Sequence, residues 1–578
     1  MWCDKCQRET PHDSCEVCGA KTEPSPPQEV FWCDNCKAPY ILSVCSTDEK
    51  KCPLCGKNVR YLSKDIRPVF PEERLLLEIL IAKPFDFADC SVWANGSRYY
   101  INGKPKLLSS KVYKNIDLSK IIQNLNNYSE FNLQTYQPVF DKFINNFINI
   151  NKNRLQFIEN EAFSFIKEAA SKYPVNQLMI SFSGGKDSSC VQDLTVRALS
   201  NPSIVHVFGD TTLEFPTTYE YIYRFRKNNP RSIFKIAKNK EQVFLDVCED
   251  IGPPSRVMRW CCTMFKTGPI TRTINRLYGK GRILTFYGVR KCESASRSKY
   301  NRLEESSESK KIQKQSVASP IFFWRDVEVW LYLLANKVDF NRAYRLGYDR
   351  VGCWCCPNNN DRAAFLSKIY MSSQSHLWRD FLIKFATRIG KPDPDVYVDT
   401  GKWKARQGGN GVNAADDVKI KYTNCTSEEN AKVYQINKPL SEAFLNLFVP
   451  FGKISKDLGR KLINEVIVLD HKTNIPILSI QAFNQIGYSY AVKIKTMNVK
   501  DHENLQHMVS YQIRKFNACR QCLKCESVCK FGAITIIAGV YKIDEKKCTH
   551  CKACVTSKYL ESGCLMEKFL RTINFEQV

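Results

Sequence analysis

The residues with the clearest chemistry are the cysteines, of which the 578-residue chain has 27. Many stand in C-x-x-C pairs, a spacing that places two thiolates on one tight turn, and two such turns enclose a metal ion. A disulfide framework is the competing interpretation. The first residues, MWCDKCQRET, show no basic segment followed by an apolar one and so do not resemble a secretory signal. We therefore expect a cytoplasmic protein whose clustered cysteines bind metals.

Four C-x-x-C pairs, CDKC, CEVC, CDNC and CPLC, lie within the first 56 residues. Because four thiolates complete a tetrahedral site, the pairs predict two zinc ions. The proline-rich segment TEPSPPQEV separates the second pair from the third, which favours two consecutive zinc ribbons. Such ribbons act as structural staples or as docking sites for a nucleic acid or a partner protein. The predicted zinc ligands are Cys3, Cys6, Cys15, Cys18, Cys33, Cys36, Cys52 and Cys55.

A second group of cysteines follows the spacing C-x2-C-x2-C-x3-C, and the triplet then recurs. This pattern resembles the bacterial two-cluster ferredoxins, in which each run lends its fourth cysteine to the cluster of the other run. The resemblance implies one [4Fe–4S] cluster on Cys519, Cys522, Cys525 and Cys564, and another on Cys548, Cys551, Cys554 and Cys529. Two features depart from the ferredoxin pattern: Lys530 stands where a proline is usual, and nine residues precede Cys564 in the second run.

A third group lies in the middle of the chain, in the segments RWCCTMFKTGP and GCWCCP. Zinc knuckles do not use adjacent cysteines, and two neighbours on a regular strand point to opposite faces. The pattern CC…C-x-x-C resembles the cluster motif of assimilatory adenylylsulfate reductases. It implies a third [4Fe–4S] cluster on Cys261, Cys262, Cys353 and Cys356, with one zinc ion on the same thiolates as the alternative. Cys355 would be a spare thiol, either buried packing or a catalytic group.

The elements that must position a substrate are clearest near residue 180. The alternating run QLMIS predicts a strand, FSGGKDSS a glycine-rich turn and CVQDLTVRAL a helix. Strand, turn and helix start together direct backbone N–H groups and the helix dipole at an anion, although the spacing is not that of a Walker loop. The predicted phosphate-binding residues are Ser183, Gly184, Gly185, Lys186, Asp187 and Ser188.

The motif SGGKDS resembles the pyrophosphate loop (PP-loop) of the ATP-pyrophosphatase superfamily. The segments SIVHVFGD, CCTMFKTGP, YGVRKCESASR and NRAYRLGYDRVGCWCCP follow in that superfamily's order. Residues 174 to about 370 resemble the phosphoadenylylsulfate (PAPS) reductase family, and ribbons plus a ferredoxin segment resemble its archaeal-type members. The resemblance implies an α/β fold, the adenine-nucleotide-α-hydrolase-like parallel sheet with helices on both faces, beside small zinc ribbons and a ferredoxin-like α+β module. It also implies ATP or PAPS, with Mg²⁺, as substrate.

The same resemblance implies roles for further residues. Asp210 and Glu214 would face the nucleotide, and Lys266, Arg290 and Arg297 would neutralise phosphate or sulfate charge, as such groups require. With Lys186 and Asp187 these cations are the predicted catalytic residues. The alternative for the two arginines is an ion pair with Glu293.

Two reactions fit the family, and both make the chain an enzyme. Sulfonucleotide reductases attack the sulfate with a cysteine in an ECG-type tail, and no such motif follows this domain, which weakens simple PAPS reduction. Relatives on the same fold adenylate a nucleic acid and then insert sulfur. We therefore expect adenylation-dependent thiolation of a nucleic acid, tRNA or DNA, with the ferredoxin segment supplying electrons from an external donor. A PAPS or adenylylsulfate reductase is the alternative, and a non-catalytic nucleic-acid-binding scaffold is the third.

Charge and length bound the remaining expectations. The formal charge of +26 favours a polyanionic partner, although five metal sites of net charge −2 each would leave about +16. No apolar run is long enough to span a membrane. The expected organisation is two zinc ribbons (1–60), a mixed α/β linker domain (61–165), the nucleotide-binding domain (166–395), a small α+β domain (396–510) and the ferredoxin domain (511–578).

Overall fold

The computed structural model describes residues 1–12, 14–43, 50–107, 117–279, 281–304, 315–406, 419–537, 540–555 and 565–566. Its first elements are two small sheets. One pairs β1 (Trp2–Cys3) with β2 (Arg8–Glu9), and the other orders β3 (Gln28–Cys33), β4 (Ala38–Ser43) and β5 (Arg60–Ser63) as β4-β3-β5. Val30 and Trp32 of β3 are fully buried in the largest core of the molecule. The second ribbon therefore shares a hydrophobic core with the central domain.

A four-stranded antiparallel sheet and two long helices lead from the ribbons to the central domain. The Asn102–Gly103 pair joins two strands as a two-residue hairpin loop, as its sequence predicts, and both residues have positive φ. Asn151 separates the two long helices, and its side-chain amide bonds back to Pro39 and Ile41 of β4. The elements are β6 (Arg67–Pro68), α1 (Pro71–Leu80), β7 (Val92–Asn95), β8 (Arg98–Ile101), β9 (Lys104–Leu107), α2 (Leu118–Ile150) and α3 (Lys152–Ser171).

The central sheet has six strands in the order β12-β11-β10-β13-β15-β14, all parallel except β14. Its strands are β10 (Leu178–Ser181), β11 (Val205–Asp210), β12 (Ile233–Lys238), β13 (Ile283–Phe286), β14 (Leu303–Glu304) and β15 (Gln315–Ala318). The helices that follow its strands are α4 (Lys186–Leu199), α5 (Pro216–Asn228), α6 (Phe244–Ile251), α7 (Trp260–Cys262), α8 (Gly268–Tyr278) and α9 (Asp326–Ala335).

Helices cover both faces of this sheet, as the alternation of side chains along β10 requires. Leu178 and Ile180 pack in the core that contains α3, α4 and α9. Met179, which points to the opposite face, packs with Ile274 of α8. The predicted fold class, a parallel α/β sheet covered on both faces, is confirmed.

The other six-stranded sheet is antiparallel and follows three helices, α10 (Asp361–Tyr370), α11 (Ser372–Arg388) and α12 (Pro394–Asp399). Its order is β16-β17-β21-β20-β19-β18, formed by β16 (Tyr422–Asn424), β17 (Ala431–Ile436), β18 (Gly452–Ser455), β19 (Val466–Asp470), β20 (Pro476–Phe483) and β21 (Tyr490–Thr496), with the short helix α13 (Glu442–Asn446). The last described elements are α14 (His502–Ala518), α15 (Lys524–Val528) and the hairpin of β22 (Ile534–Ile537) and β23 (Val540–Ile543). In the part of the chain that the structure describes, no helix is both long and apolar enough to cross a bilayer.

Candidate active site and metal sites

The predicted phosphate loop lies between β10 and α4, at the carboxyl edge of the parallel sheet, where open α/β sheets bind ligands. Gly184 has φ +73°, and a Cβ there would lie 3.0 Å from Thr218 Cγ2, so both backbone and space require glycine. The Ser188 hydroxyl accepts from the amide of Ser183 at 3.2 Å and donates to the carbonyl of Gly185 at 2.8 Å. These bonds hold the loop around the amino terminus of α4.

The charged side chains of the loop are held in a buried ion-pair network. Lys186 Nζ lies 3.0 Å from a carboxylate oxygen of Asp187 and 3.0 Å from one of Asp326. Arg290 contacts the same two carboxylates, Asp187 at 2.7 Å and Asp326 at 2.8 Å. Burial alone would lower the pKa of Lys186, but the two carboxylates outweigh it and raise that pKa. The network therefore keeps two cations charged beside the phosphate loop.

Asp65, which lies between β5 of the second ribbon and β6, contacts this network. Its carboxylate accepts the amide hydrogens of Asp326 at 2.9 Å and Val327 at 3.0 Å, which are the first amides of α9. Burial, and then the neighbouring Asp326 charge, raise the pKa of Asp65. Asp326, which pairs with Lys186 and Arg290, is thus positioned by Asp65, a residue that precedes the central sheet in the chain.

The two predicted arginines have different partners. The guanidinium of Arg290 contacts Asp187 and Asp326. From Arg290, the carboxylate of Glu293 accepts the backbone N–H, at 3.1 Å. Arg297 forms the ion pair with Glu293 that the alternative interpretation expects. Lys266 is exposed, and its charge acts on Glu214.

The end of β11 brings the nucleotide site and the middle cysteines together. Asp210 accepts the hydroxyl hydrogen of Tyr219 and the amide of Thr212, each at 2.8 Å. Glu214 pairs with Cys353 in an isolated antiparallel bridge. The hydroxyl of Thr211 lies 2.8 Å from Glu214 Oε1 and 3.4 Å from Cys353 Sγ. The cysteine loop is therefore bound directly to the edge where ligands bind.

The four middle cysteines interact electrostatically in the pairs Cys261–Cys262, Cys261–Cys353, Cys262–Cys356 and Cys353–Cys356. The pKa of Cys261 is raised, first by its hydrogen bond with Cys262 and then by burial and the charges of nearby thiols that include Cys353. Burial also raises the pKa of Cys356, to which the charge of Cys262 adds. Among the described residues, groups of three or more possible metal ligands that all lie within 4.8 Å of one another occur in the two ribbon sets and not at the middle cysteines.

Each predicted ribbon brings its four sulfurs together. In the first, Cys3 and Cys18 lie 3.6 Å apart and Cys6 and Cys15 3.8 Å apart. In the second, the corresponding distances are 3.5 Å for Cys33 and Cys55 and 3.8 Å for Cys36 and Cys52. These separations are close to those across a tetrahedral zinc ion with ~2.3 Å Zn–S bonds. Both sets fit zinc ribbons and could hold a metal.

Backbone amides favour the thiolate form in the first ribbon. The N–H groups of Cys18 and Val17 donate to the sulfur of Cys15 and lower its pKa to about 6. Metal binding requires deprotonated sulfur, so this shift at Cys15 favours binding of a cation, while burial raises the pKa of Cys3 and the hydrogen bond with Cys18 raises that of Cys6.

The C-terminal cysteines form two sets. Cys529, Cys548, Cys551 and Cys554 line one cavity, together with apolar side chains such as Phe531 and Ile543. Burial raises the pKa of Cys525, and the charges of Cys522 and Cys519 raise it further, which makes these three neighbours. Both arrangements fit the ligand sharing of a two-cluster ferredoxin. Cys564, the predicted fourth ligand of the set with Cys519, Cys522 and Cys525, lies outside the described residues.

Three further residues of the site are not among those to which the sequence motifs assign a role. The amide of Lys186 donates to the hydroxyl of Tyr344 at 3.0 Å, and a Cβ on Gly288 would lie 2.7 Å from the backbone of Asp187. Asp326 is the third. The sequence offered one local signal, the acidic residue at the start of the α9 segment, while Tyr344 and Gly288 act across more than 100 residues of sequence.

Comparison with known proteins agrees with this geometry. Residues 177–359 match the phosphoadenosine phosphosulfate reductase domain. Two uncharacterized proteins of Methanocaldococcus jannaschii are 32% and 29% identical over 43% and 46% of this chain, which span 51% and 61% of their own lengths. Adenosine 5'-phosphosulfate reductase 1 of Bacillus subtilis is 27% identical over 34% of this chain and 79% of its own. The PAPS reductase of Candida auris, solved with phosphate, is 16% identical, with a TM-score of 0.27 over 35% of this chain and 95% of that one.

The sheet order and the glycine-rich loop at its carboxyl edge define the class, an α/β protein with a mostly parallel sheet. Within that class, residues 177–359 resemble the phosphoadenosine phosphosulfate reductase domain, over about a third of the chain.

Proposed function

We propose that the chain is an iron–sulfur enzyme that binds ATP or a sulfonucleotide and transfers sulfur, with a nucleic acid as the acceptor. The observation that carries the proposal is the contact between Cys353 and the end of β11, where Thr211 bridges Glu214 and the thiol. A metal bound by the middle cysteines would lie beside a nucleotide bound at the end of β11. The PAPS reductase domain supports nucleotide-binding, sulfur-related chemistry.

The roles of the chain's own residues follow from their places. The loop from Ser183 to Ser188 and the first turn of α4 would bind phosphate oxygens, while Lys186 and Arg290 supply charge. Asp187 and Asp326 fix those cations before substrate arrives. When bound, an iron–sulfur cluster on Cys261, Cys262, Cys353 and Cys356 would supply a place for the sulfur or for electrons; the exposed Cys262 leaves that group accessible to an acceptor.

Two exposed arginines and a half-buried lysine around the middle cysteines favour a polyanionic acceptor. Arg350 and Arg259 act electrostatically on Cys356, and Arg350 also acts on Arg297. Lys404 donates to the carbonyl of Asn359 at 2.9 Å, within the loop that follows Cys356. Such a rim would contact the phosphates of a tRNA or DNA strand whose base reaches the site. In this proposal the enzyme acts in the cytoplasm.

A PAPS or adenylylsulfate reductase is the second candidate. The likeness to adenosine 5'-phosphosulfate reductases favours it, and so does the position of the C-terminal cysteines next to the nucleotide-binding domain. In a reductase the basic rim would have no nucleic acid to bind. Salt dependence of RNA or DNA binding therefore separates the two, since a slope near zero removes the nucleic acid.

The metal content tests the shared part of both candidates. We expect anaerobically purified Cys353→Ser to lose about four irons per chain and to keep its zinc. The control is Cys292→Ser, which changes an exposed cysteine outside the predicted ligand sets and should leave both metals unchanged. Loss of one zinc without loss of iron from Cys353→Ser would contradict the proposal.

A further inference from the structure

Residues 65–73, called the connecting segment, run from the end of the second ribbon into the first turn of α1. The carboxylate of Asp65 accepts the amide hydrogens of Asp326 and Val327, the first amides of α9. Asp326 in turn pairs with the two cations beside the phosphate loop. The hydroxyl of Ser63 donates to the carbonyl of Asp65 at 3.0 Å and holds this end of the segment to β5. The start of the segment is therefore fixed to the nucleotide site.

The other end of the connecting segment contacts the cysteine loop, residues 349–362, which contains the C-x-x-C pair of the middle cysteines. Arg67 Nε lies 2.7 Å from Oδ1 of Asp349, the first residue of this loop. Glu73 pairs with Arg362, its last residue. The segment therefore holds the cysteine loop at both of its ends.

Within the segment, these two contacts are joined by a buried ion pair. Arg67 donates to both carboxylate oxygens of Glu73, at 2.6 and 2.8 Å. The two side chains are only 7% and 2% exposed, and a bidentate pair of this kind sets orientation as well as distance. Gly347 packs so closely against it that a Cβ there would lie 3.0 Å from Glu73 Cδ. Asp349 and Arg362 are thus attached to one fixed unit.

The cysteine loop has a further attachment, at the end of β11. Glu214 pairs with Cys353 in the isolated bridge. The amide of Trp354 donates to the carbonyl of Leu213 at 2.8 Å. This attachment holds an inner part of the loop, whereas the connecting segment holds its two ends. Two elements from different parts of the chain therefore locate the loop.

We infer that the connecting segment sets the position of the cysteine loop relative to the phosphate loop. Asp65 is a positioning residue that acts through Asp326 on the cations, and Arg67 is one that acts through Asp349 on the cysteine loop. The inference rests on the proposed function, because it concerns a nucleotide at the phosphate loop and a metal at the middle cysteines. A nucleotide that orders the phosphate loop then stabilises the cysteine loop as well, since both loops are attached to the same segment.

Hydrogen exchange of the anaerobically purified full-length protein, read by mass spectrometry with and without saturating ATP or PAPS, tests this inference. In the wild type, we expect bound nucleotide to slow exchange about tenfold in the cysteine loop, as well as in the phosphate loop. In Asp349→Ala, bound nucleotide should still slow exchange in the phosphate loop, but by less than about twofold in the cysteine loop. The control is Asp361→Ala, which removes an exposed carboxylate from the same loop and should behave like the wild type.

Asp349→Ala is suited to this test because the variant keeps the buried pair of the segment. Arg67 retains Glu73 as its partner, and the Asp349 side chain is already 31% exposed. We therefore expect the variant to fold with the iron and zinc content of the wild type.

Asp65→Ala is the matching variant at the other end of the segment. It removes the acceptor of the first amides of α9 and should weaken nucleotide binding about fivefold. Asp65→Asn keeps one acceptor oxygen for these amides and should lose less affinity. If Asp65 only stabilised the fold, both folded variants would bind nucleotide with the affinity of the wild type.

Equal slowing of the cysteine loop in Asp349→Ala and in the wild type would overturn the inference alone, because the contact with β11 would then be sufficient. Nucleotide that slows the phosphate loop of the wild type without slowing its cysteine loop would do the same. Absence of binding by both nucleotides would overturn the proposed function, and the inference with it.

Discussion

At the scale of single residues, the site contains two buried cations that are paired with two carboxylates. Lys186 and Arg290 share two carboxylates, Asp187 and Asp326, and burial of such groups is tolerated because each cation is paired. A nucleotide's phosphates would meet cations that are already ordered. The arrangement lowers the cost of organising the site when substrate binds.

Replacement of Lys186 by alanine should weaken nucleotide binding. The change removes a charged donor next to the loop, a loss of about 1.5–3 kcal/mol, or about ten- to a hundredfold in affinity. Calorimetric titration with ATP and with PAPS measures it. Lys227→Ala, an exposed lysine on α5, serves as the control. Unchanged affinity of Lys186→Ala for both nucleotides would exclude this lysine from the site.

Glu73 predicts a pH dependence of stability. Burial would raise its pKa, but the guanidinium groups of Arg67 and Arg362 outweigh burial and lower it to about 2. Because the folded pKa lies below the unfolded value of about 4.3, the ionised carboxylate stabilises the fold above that value. This contribution is lost as the pH falls through about 2.

We expect Glu73→Gln to lose about 3–5 kcal/mol of the free energy of unfolding at pH 7, since two arginines lose their buried partner. The difference from the wild type should shrink at pH 3. Denaturant unfolding at both values measures it, with the exposed Glu220→Gln as control. A variant as stable as the wild type at pH 7 would refute the assignment.

At the scale of elements, the second ribbon is a structural part of the main domain. Strand β3 carries the ligand Cys33, and its Val30 and Trp32 pack in the core that includes α9. Its neighbour Asp65 caps α9 at the phosphate loop. Loss of metal from this ribbon should therefore affect the nucleotide site as well as local stability.

The zinc content of Cys36→Ser tests this link. We expect two zinc ions per wild-type chain and one in the variant, together with a lower melting temperature and weaker nucleotide binding. Cys425→Ser, which replaces a cysteine outside every predicted set, should keep both ions. Two zinc ions in Cys36→Ser would show that this ribbon does not use the predicted ligands.

Local sequence patterns predict some of these elements and not others. The strand, glycine turn and helix around Lys186 follow from periodicity and glycine placement, and the hairpin at Asn102–Gly103 follows from its turn residues. The contacts of Arg272 with Glu526 and of Asp65 with α9 join residues more than 250 positions apart. No local propensity encodes such partners, because they depend on how the domains pack. The domain limits given by the sequence stay predictions.

At the scale of the whole molecule, three groups of cysteines, in the ribbons, in the middle of the chain and in the C-terminal segment, lie around the central parallel sheet. The second ribbon packs against its helices, the middle cysteines lie at its carboxyl edge, and the C-terminal segment contacts α8 through Glu526. The formal charge of +26 has the sign that the proposed nucleic-acid acceptor requires. In the proposed function, this arrangement would connect a nucleotide site, a metal site and a source of electrons in one chain.

The central claim is tested most directly by offering the anaerobically purified protein either ATP or PAPS, with a reductant and total cellular RNA, and measuring pyrophosphate and sulfite. The account predicts pyrophosphate from ATP that depends on added RNA, because adenylation of the acceptor precedes sulfur insertion. Sulfite from PAPS without nucleic acid, and no RNA-dependent pyrophosphate, would contradict it.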